Sequence, residues 1–246
     1  MARGAYRRRI MAWTEPGRAS AAIEDDLHHF RIDLRHDGEK VVAIAGTPVR
    51  IPWTSCSGAV DMLQSFVGEA LAPPPGLRKS GVIASHQCTH MFDIVKIAMA
   101  QAPRGGRRQY DIEVLDRVDT ETRAQIRRDG DLVFSWDVRG NLVTGPAAFA
   151  GHDITGRAVW PVGSVPDADA LETALVLRRG LLVSYYRILR PTAQVASDMP
   201  PRFKGLCHSF QPGVAPTGLR VDGYERYFDE RPNDLLIDLA PVPVPA

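Results

Sequence analysis

Lysine is scarce in this chain: of 30 basic residues only Lys40, Lys79, Lys96 and Lys204 are lysines, so 26 are arginine. That skew reads as genomic codon bias, although arginine also clamps carboxylates and phosphates through its planar fork. Excess charge of either sign is missing too, since 30 basic and 29 acidic residues leave a formal charge of +1. No global field therefore steers nucleic acid or an anionic membrane to this surface, and neither is expected as a partner. Cysteine is limited to Cys56, Cys88 and Cys207, with no CxxC among them. An odd, unspaced set argues against a secreted disulfide framework and for a reducing, cytoplasmic compartment. No window approaches the roughly 20 apolar residues of a membrane span, and the Arg-rich opening is followed by no signal-peptide core. Sequence signatures of dinucleotide binding, P-loop hydrolysis, serine hydrolysis and zinc proteolysis are all lacking, so no nucleotide cofactor is expected.

What remains is an ordinary globular composition, 246 residues with 44% hydrophobic and 24% charged. A chain of this size hides about 70% of its unfolded surface without help from metal or disulfide, so a metal here would serve chemistry. After the Arg-rich leader, residues 21–50 read as two or three strands. Phe30, Ile32 and Leu34 alternate into a turn at Asp37-Gly38, and Val41, Val42 and Ile44 follow as a hairpin partner. Pro48 and Pro52 stop the ladder. From Ser57 the positions Val60, Leu63, Phe66, Val67, Ala70 and Leu71 keep helical spacing up to Pro73-Pro74-Pro75, and Met91, Ile94, Val95 and Ala98 repeat it up to Pro103. Residues 102–109 form a polar, glycine-rich linker. Beyond it, 109–145 reads as an antiparallel meander with turns at Asp129-Gly130 and Gly140-Asn141. Asp169 and Glu172 have capping-box spacing before an apolar helix that Gly180 ends or bends. The PVPVPA tail has polyproline character. No internal repeat is visible.

The densest cluster of reactive side chains is His86-Gln87-Cys88-Thr89-His90, directly before the second helix. His86 and His90 share a side whether the segment is extended or helical. Imidazole and thiolate are zinc or iron ligands. Without metal, a cysteine at a helix N-terminus gains thiolate character from the amides and dipole there. Cys56, in Pro52-Trp53-Thr54-Ser55-Cys56, precedes the first helix in the same way. Glu24-Asp25-Asp26 with His28 and His29 offers further carboxylate and imidazole. Cys207-His208 is a third, isolated point, with Tyr185, Tyr186 and Arg187 earlier in sequence. Each feature also has a plain reading: cysteine as apolar filler, Glu-Asp-Asp as a solvated turn, Arg178-Arg179 as a wet helix face, and Trp53, Trp136 and Trp160 as packing.

The strings EDDLHHF (24–30), RIPWTSC (50–56), QCTHMFDIVKIA (87–98), LETALVLRRG (171–180) and CHSFQP (207–212) together resemble a bacterial family carrying a domain of unknown function. That resemblance implies a soluble catabolic enzyme. The order hairpin, cysteine, helix, loop, cysteine, helix over 27–102 also resembles iron-sulfur cluster scaffold proteins. There Cys56 and Cys88 would be ligand cysteines and Asp26 would fall near an acidic position. Glu24 stands where another cysteine is expected, and Gln87 replaces the histidine before the last one.

These readings give an α+β fold: residues 1–105 as an antiparallel hairpin sheet with two cysteine-started helices, and 106–246 as a second antiparallel sheet plus a long helix. The expected function is a catabolic lyase, isomerase or hydrolase acting on an aromatic or alicyclic small-molecule substrate, with a homo-oligomer left open. Cys88, His90 and Cys56 are the catalytic candidates. Cys56, Cys88, His86, His90, Asp26 and His28 are candidate ligands for zinc or iron. A non-catalytic metal or iron-sulfur carrier is the alternative.

Overall fold

The Arg-rich leader is a strand. In Tyr6, Arg8, Ile10 and Ala12 every second side chain turns into the core, and the arginine among them hides the alternation from a hydrophobicity count. The computed structural model describes residues 4–71, 82–156, 165–189 and 191–239. β1 (Ala5–Glu15) turns at Pro16-Gly17 into β2 (Arg18–Asp25), with Gly17 at φ 70°, a conformation that favours glycine. β3 (His29–His36) and β4 (Val41–Arg50) form the expected hairpin. Its turn is held by Asp37 Oδ1, which accepts the amides of Glu39 and Lys40 at 2.9 and 2.8 Å.

The expected first long helix is absent. Its place is taken by a 3₁₀ turn at Thr54–Gly58, one α-helical turn, α1 (Ala59–Met62), and another 3₁₀ turn at Leu63–Phe66. The helical spacing of Leu63 and Phe66 survives as burial while the continuous ladder does not. Pro73-Pro74-Pro75 lies outside the described residues, as do Trp160 and the PVPVPA tail. α2 (Thr89–Arg104) matches expectation, burying Met91, Ile94, Val95 and Ala98. Pro103 sits in its last turn instead of ending it, and Gly105 follows at φ 73°.

β5 (Arg107–Leu115), β6 (Glu121–Arg128), β7 (Asp131–Arg139) and β8 (Leu142–Gly145) are the expected meander, with Asp129-Gly130 and Gly140-Asn141 as its two tight turns. α3 (Ala168–Ser184) is capped two residues earlier than expected: Asp167, not Asp169, accepts the amide of Ala170 at 2.7 Å. Glu172 is then free to be buried beneath the helix, where it receives Arg104 Nη1 at 3.0 Å and the Tyr110 hydroxyl. Gly180 does not end α3. Its missing side chain lets the helix approach β5, since a Cβ there would lie 2.8 Å from Ile112 Cγ2. One further turn, α4 (Tyr186–Leu189), follows.

The eight strands of the described residues form one antiparallel sheet in the order β4-β3-β2-β1-β5-β6-β7-β8. The expected second sheet is therefore the other half of the first, joined where β1 pairs with β5 from Ala5↔Leu115 to Trp13↔Arg107. The same order, four strands and then a helix, occurs twice, a structural repeat with no trace in the residues. α2 lies on β1, β2 and β3, α3 lies on β5, β6 and β7, and one apolar core runs beneath both. Residues 191–239 are mostly short turns; they fold back on the Cys56 turn and on the β2–β3 turn. Among the described residues, no helix is long and apolar enough to cross a membrane.

Candidate functional site

The β1–β2 hairpin determines the centre of the site. Because its turn is Pro16-Gly17, paired residues have numbers totalling 33, which puts Arg8 opposite Asp25. Both side chains enter the core, at 1% and 0% exposure. Asp25 Oδ2 accepts Arg8 Nη2 at 2.6 Å, Arg8 Nε at 3.1 Å and the Tyr6 hydroxyl at 2.7 Å. Oδ1 accepts the backbone amides of Leu27 and His28 at 2.9 and 2.8 Å and lies 3.1 Å from His28 Nδ1. The chain can curl this tightly because Arg50 reaches across from β4 and donates to the carbonyls of Asp25 (2.5 Å) and Asp26 (3.1 Å).

The first turn of α2 brings His90 onto the same carboxylate. Its ring stacks on His28 with centroids 3.8 Å apart, and its Nε2 lies 3.7 Å from Asp25 Oδ2. That Nε2 is buried and without a hydrogen-bond partner. Burial alone would raise the Asp25 pKa, but His28 and Arg8 outweigh it and hold the carboxyl well below the usual range. Burial pushes His90 well below an ordinary histidine, helped by His28 and Arg8 and opposed by Asp25, so its imidazole is neutral at physiological pH. Tyr6 is driven up by burial and stays a hydrogen-bond donor.

The expected ligands fall into separate places. His28 and His90 meet, with Asp25 rather than Asp26 as their carboxylate. Asp26 turns away to Arg187 Nη1 at 2.7 Å, and burial outweighs that pairing to raise its pKa to about 7. His86 ends an exposed 3₁₀ turn beside His208; the extended backbone at Gln87 and Cys88 parts it from His90. Cys56 and Cys88 do not join the histidines. Among the described residues, the groups with ligand atoms within 4.8 Å of one another are Asp25, His28 and His90, and Glu24, His29 and Asp238. In the second group Glu24 also receives Arg50 at 3.2 Å and the Leu236 amide at 2.7 Å.

Cys88 does cap α2, and the amides of His90 and Met91 favour its thiolate without closing a hydrogen bond of full geometry. The expected activation nevertheless fails. Burial, together with Cys56 and Cys207 nearby, pushes the Cys88 thiol well above its ordinary value. Burial likewise raises Cys56, and it pushes Cys207 up to about 12. Tyr185, Tyr186 and Arg187 do not reach Cys207: Arg187 pairs with Asp26, Asp116 and Asp229, and Tyr186 meets Tyr224. Trp53 and Trp136 are packing residues in the core.

Arg8 has a second role. Its other side lines a cavity of about 290 Å³ between α2 and α3, together with Phe92, Asp93, Lys96, Leu175 and Arg179. Arg179 pairs with Asp93 at 2.8 Å, and the Lys96 ammonium lies over the Phe92 ring at 5.3 Å. Arg178-Arg179 is thus a wall of this cavity and not a plain wet helix face. Sequence reasoning missed Arg8 and Tyr6, and from the run Glu24-Asp25-Asp26 it took Asp26 instead of Asp25. The signal that could have found them was the Pro16-Gly17 turn, which once recognised sets the pairing of β1 with β2.

The fold and site define a mixed α+β protein with a buried carboxylate–histidine centre beside a cation-lined cavity. The sequence matches no protein-family model, and no characterised protein matches it closely enough to supply a function.

Proposed function

We propose that this protein is an enzyme acting on a small organic anion by proton transfer, with His28 as the acid–base group and Asp25 as the carboxylate that orients it. The observation carrying this reading is the 3.1 Å approach of His28 Nδ1 to a fully buried, ionised Asp25. A proton on Nδ1 directed at the carboxylate leaves Nε2 as the basic nitrogen, the logic by which a buried aspartate sets a catalytic histidine's tautomer. The cavity beside Arg8 supports an anionic substrate with an apolar body: Lys96 and Arg179 suit a carboxylate, while Phe92, Leu175 and Leu182 suit an aromatic or alicyclic ring. Reaction class stays within the lyase, isomerase or hydrolase types. The raised thiols move the acid–base role from Cys88 and Cys56 to histidine.

A second reading rests on a separate observation. The unpartnered Nε2 of His90, with ligand atoms of Asp25 and His28 within 4.8 Å, suits zinc or iron acting as a Lewis acid. Arg8 and Tyr6 weigh against it, because they already occupy Asp25 Oδ2 and place a guanidinium where a dication would need negative charge. A cargo carrier would want an open site, and the burial of Asp25 and His90 favours an enzyme over it.

The test is a thermal-shift screen of small aromatic and alicyclic carboxylates, followed by turnover assays on the ligands found. Lys96→Met should abolish the shift. His28→Gln should keep binding and lose turnover by roughly 10²–10⁴-fold. Undiminished turnover in His28→Gln would end the proton-transfer reading. Metal that co-purifies with the wild type, is lost from His90→Gln and is kept by Cys207→Ser would replace it with the metal reading.

A further inference from the structure

The three cysteines come from distant segments, yet the 205–211 loop gathers them. Ser209 Oγ donates to Cys56 Sγ at 3.2 Å, the amide of His208 bonds the carbonyl of Gln87 at 3.0 Å, and Gln211 Nε2 reaches the Ser85 carbonyl at 2.6 Å. Cys207 and His208 are thereby laid against both the Cys56 turn and the residue before Cys88. Gln87 is tied down in turn, its Nε2 donating to Met62 O and Ser65 Oγ at 3.0 Å. His208 packs on Gly58, where a Cβ would lie 3.0 Å from its Nε2. Gly58 has an ordinary φ of −65°, so its value there is space for the ring.

Three filler cysteines would not need polar company, but these have it. Cys88 is the N-cap residue of α2 and Cys207 that of the 3₁₀ turn His208–Phe210, so each stands at the end of a helical turn whose first backbone amides lack helical partners. Such donors are wasted on a neutral thiol and stabilise a metal-bound thiolate. The His208 ring, seated on Gly58 beside the Cys56 turn, supplies the imidazole. We propose that Cys56, Cys88 and Cys207, with His208 as fourth donor, bind one thiophilic dication, zinc being the best match to three sulfurs and an imidazole. Each coordinated thiol gives its proton to solvent, and three thiolates around a dication leave one net negative charge, against three that mutually repelling bare thiolates would carry. Among the described residues, the groups with ligand atoms within 4.8 Å of one another contain no cysteine, so the sulfurs must close together when the ion binds. This centre is distinct from the Asp25–His28–His90 cluster, and neither requires the other.

The test is cobalt(II) titration of reduced, full-length protein, with zinc content by elemental analysis. The expected result is about one ion per chain, with a thiolate-to-cobalt charge-transfer band and intense tetrahedral visible bands. The charge-transfer band should weaken in Cys56→Ser, Cys88→Ser and Cys207→Ser and persist in His28→Gln and His90→Gln. On the wild type, which avoids any folding defect of the variants, zinc should protect all three cysteines from iodoacetamide together. A cobalt spectrum lacking sulfur bands would overturn the proposal.

Discussion

Arg8→Met keeps the aliphatic stem of Arg8 and removes its charge, and it puts the centre of the protein to a severe test. Asp25 would be left at 0% exposure with the Tyr6 hydroxyl, two amides and His28 but without its counter-ion. Removing one partner of a buried pair costs about 3–5 kcal/mol, because the other charge stays uncompensated. In a chain of this length that corresponds to a fall in Tm of roughly 6–20 °C. The double variant Arg8→Met/Asp25→Asn should lose less than the sum of the two single changes, by about 0.5–3 kcal/mol or more, since it leaves no buried charge at the pair. Urea unfolding followed by circular dichroism measures both quantities, provided m stays constant. The acid limb gives an independent check. Asp25 is depressed in the folded state, so its stabilisation is present above the ordinary carboxylate pKa and is lost as pH falls through the folded value. Without Arg8 that folded value rises, and acid unfolding should begin at higher pH. A cost under about 1 kcal/mol, or strict additivity in the cycle, would refute the claim that this ion pair organises the site.

Gly180→Ala should destabilise: the usual helix gain of about 1 kcal/mol is outweighed by a Cβ 2.8 Å from Ile112, with overpacking worth about 1–3 kcal/mol, measured by chemical denaturation. Asp167→Ala removes the cap on α3 and should cost about 1 kcal/mol in the same assay, whereas Asp169→Ala should leave the helix N-terminus capped. His90 is depressed in the folded state, so the unfolded chain takes up its proton first as pH drops below about 6.5. Stability should therefore fall on that side, and His90→Gln should flatten the slope. Asp26 acts in the opposite sense. The folded state holds its proton up to a pKa of about 7 while the unfolded state has lost it, so stability should fall as pH rises from the ordinary carboxylate range to about 7. Asp26→Asn should remove that fall in a pH series of urea midpoints.

Elements held by local chemistry were legible. The β3–β4 hairpin followed from alternation and the Asp37-Gly38 turn, β5 to β8 from alternation and two tight turns, and α2 from an uninterrupted apolar face. Elements held by distant partners were not. Arg8 disguises β1 because its inward position makes sense only with Asp25 opposite. The helical periodicity over 57–71 belongs to broken turns whose buried residues meet β4 and α2. Gly180 reads as a stop and is instead a point of close approach.

By itself the sequence determined an α+β protein without a membrane-spanning helix, the reactive residue types it can field, and that His28 and His90 belong to its candidate site. Tertiary structure decided how those residues are sorted. Strand register chose Asp25 over Asp26 and supplied Arg8, since one step along a strand reverses the face a side chain occupies. The path of the chain set Cys56 and Cys88 apart from His28 and His90, and burial raised their thiols, because desolvating a thiolate costs more than a helix N-terminus returns.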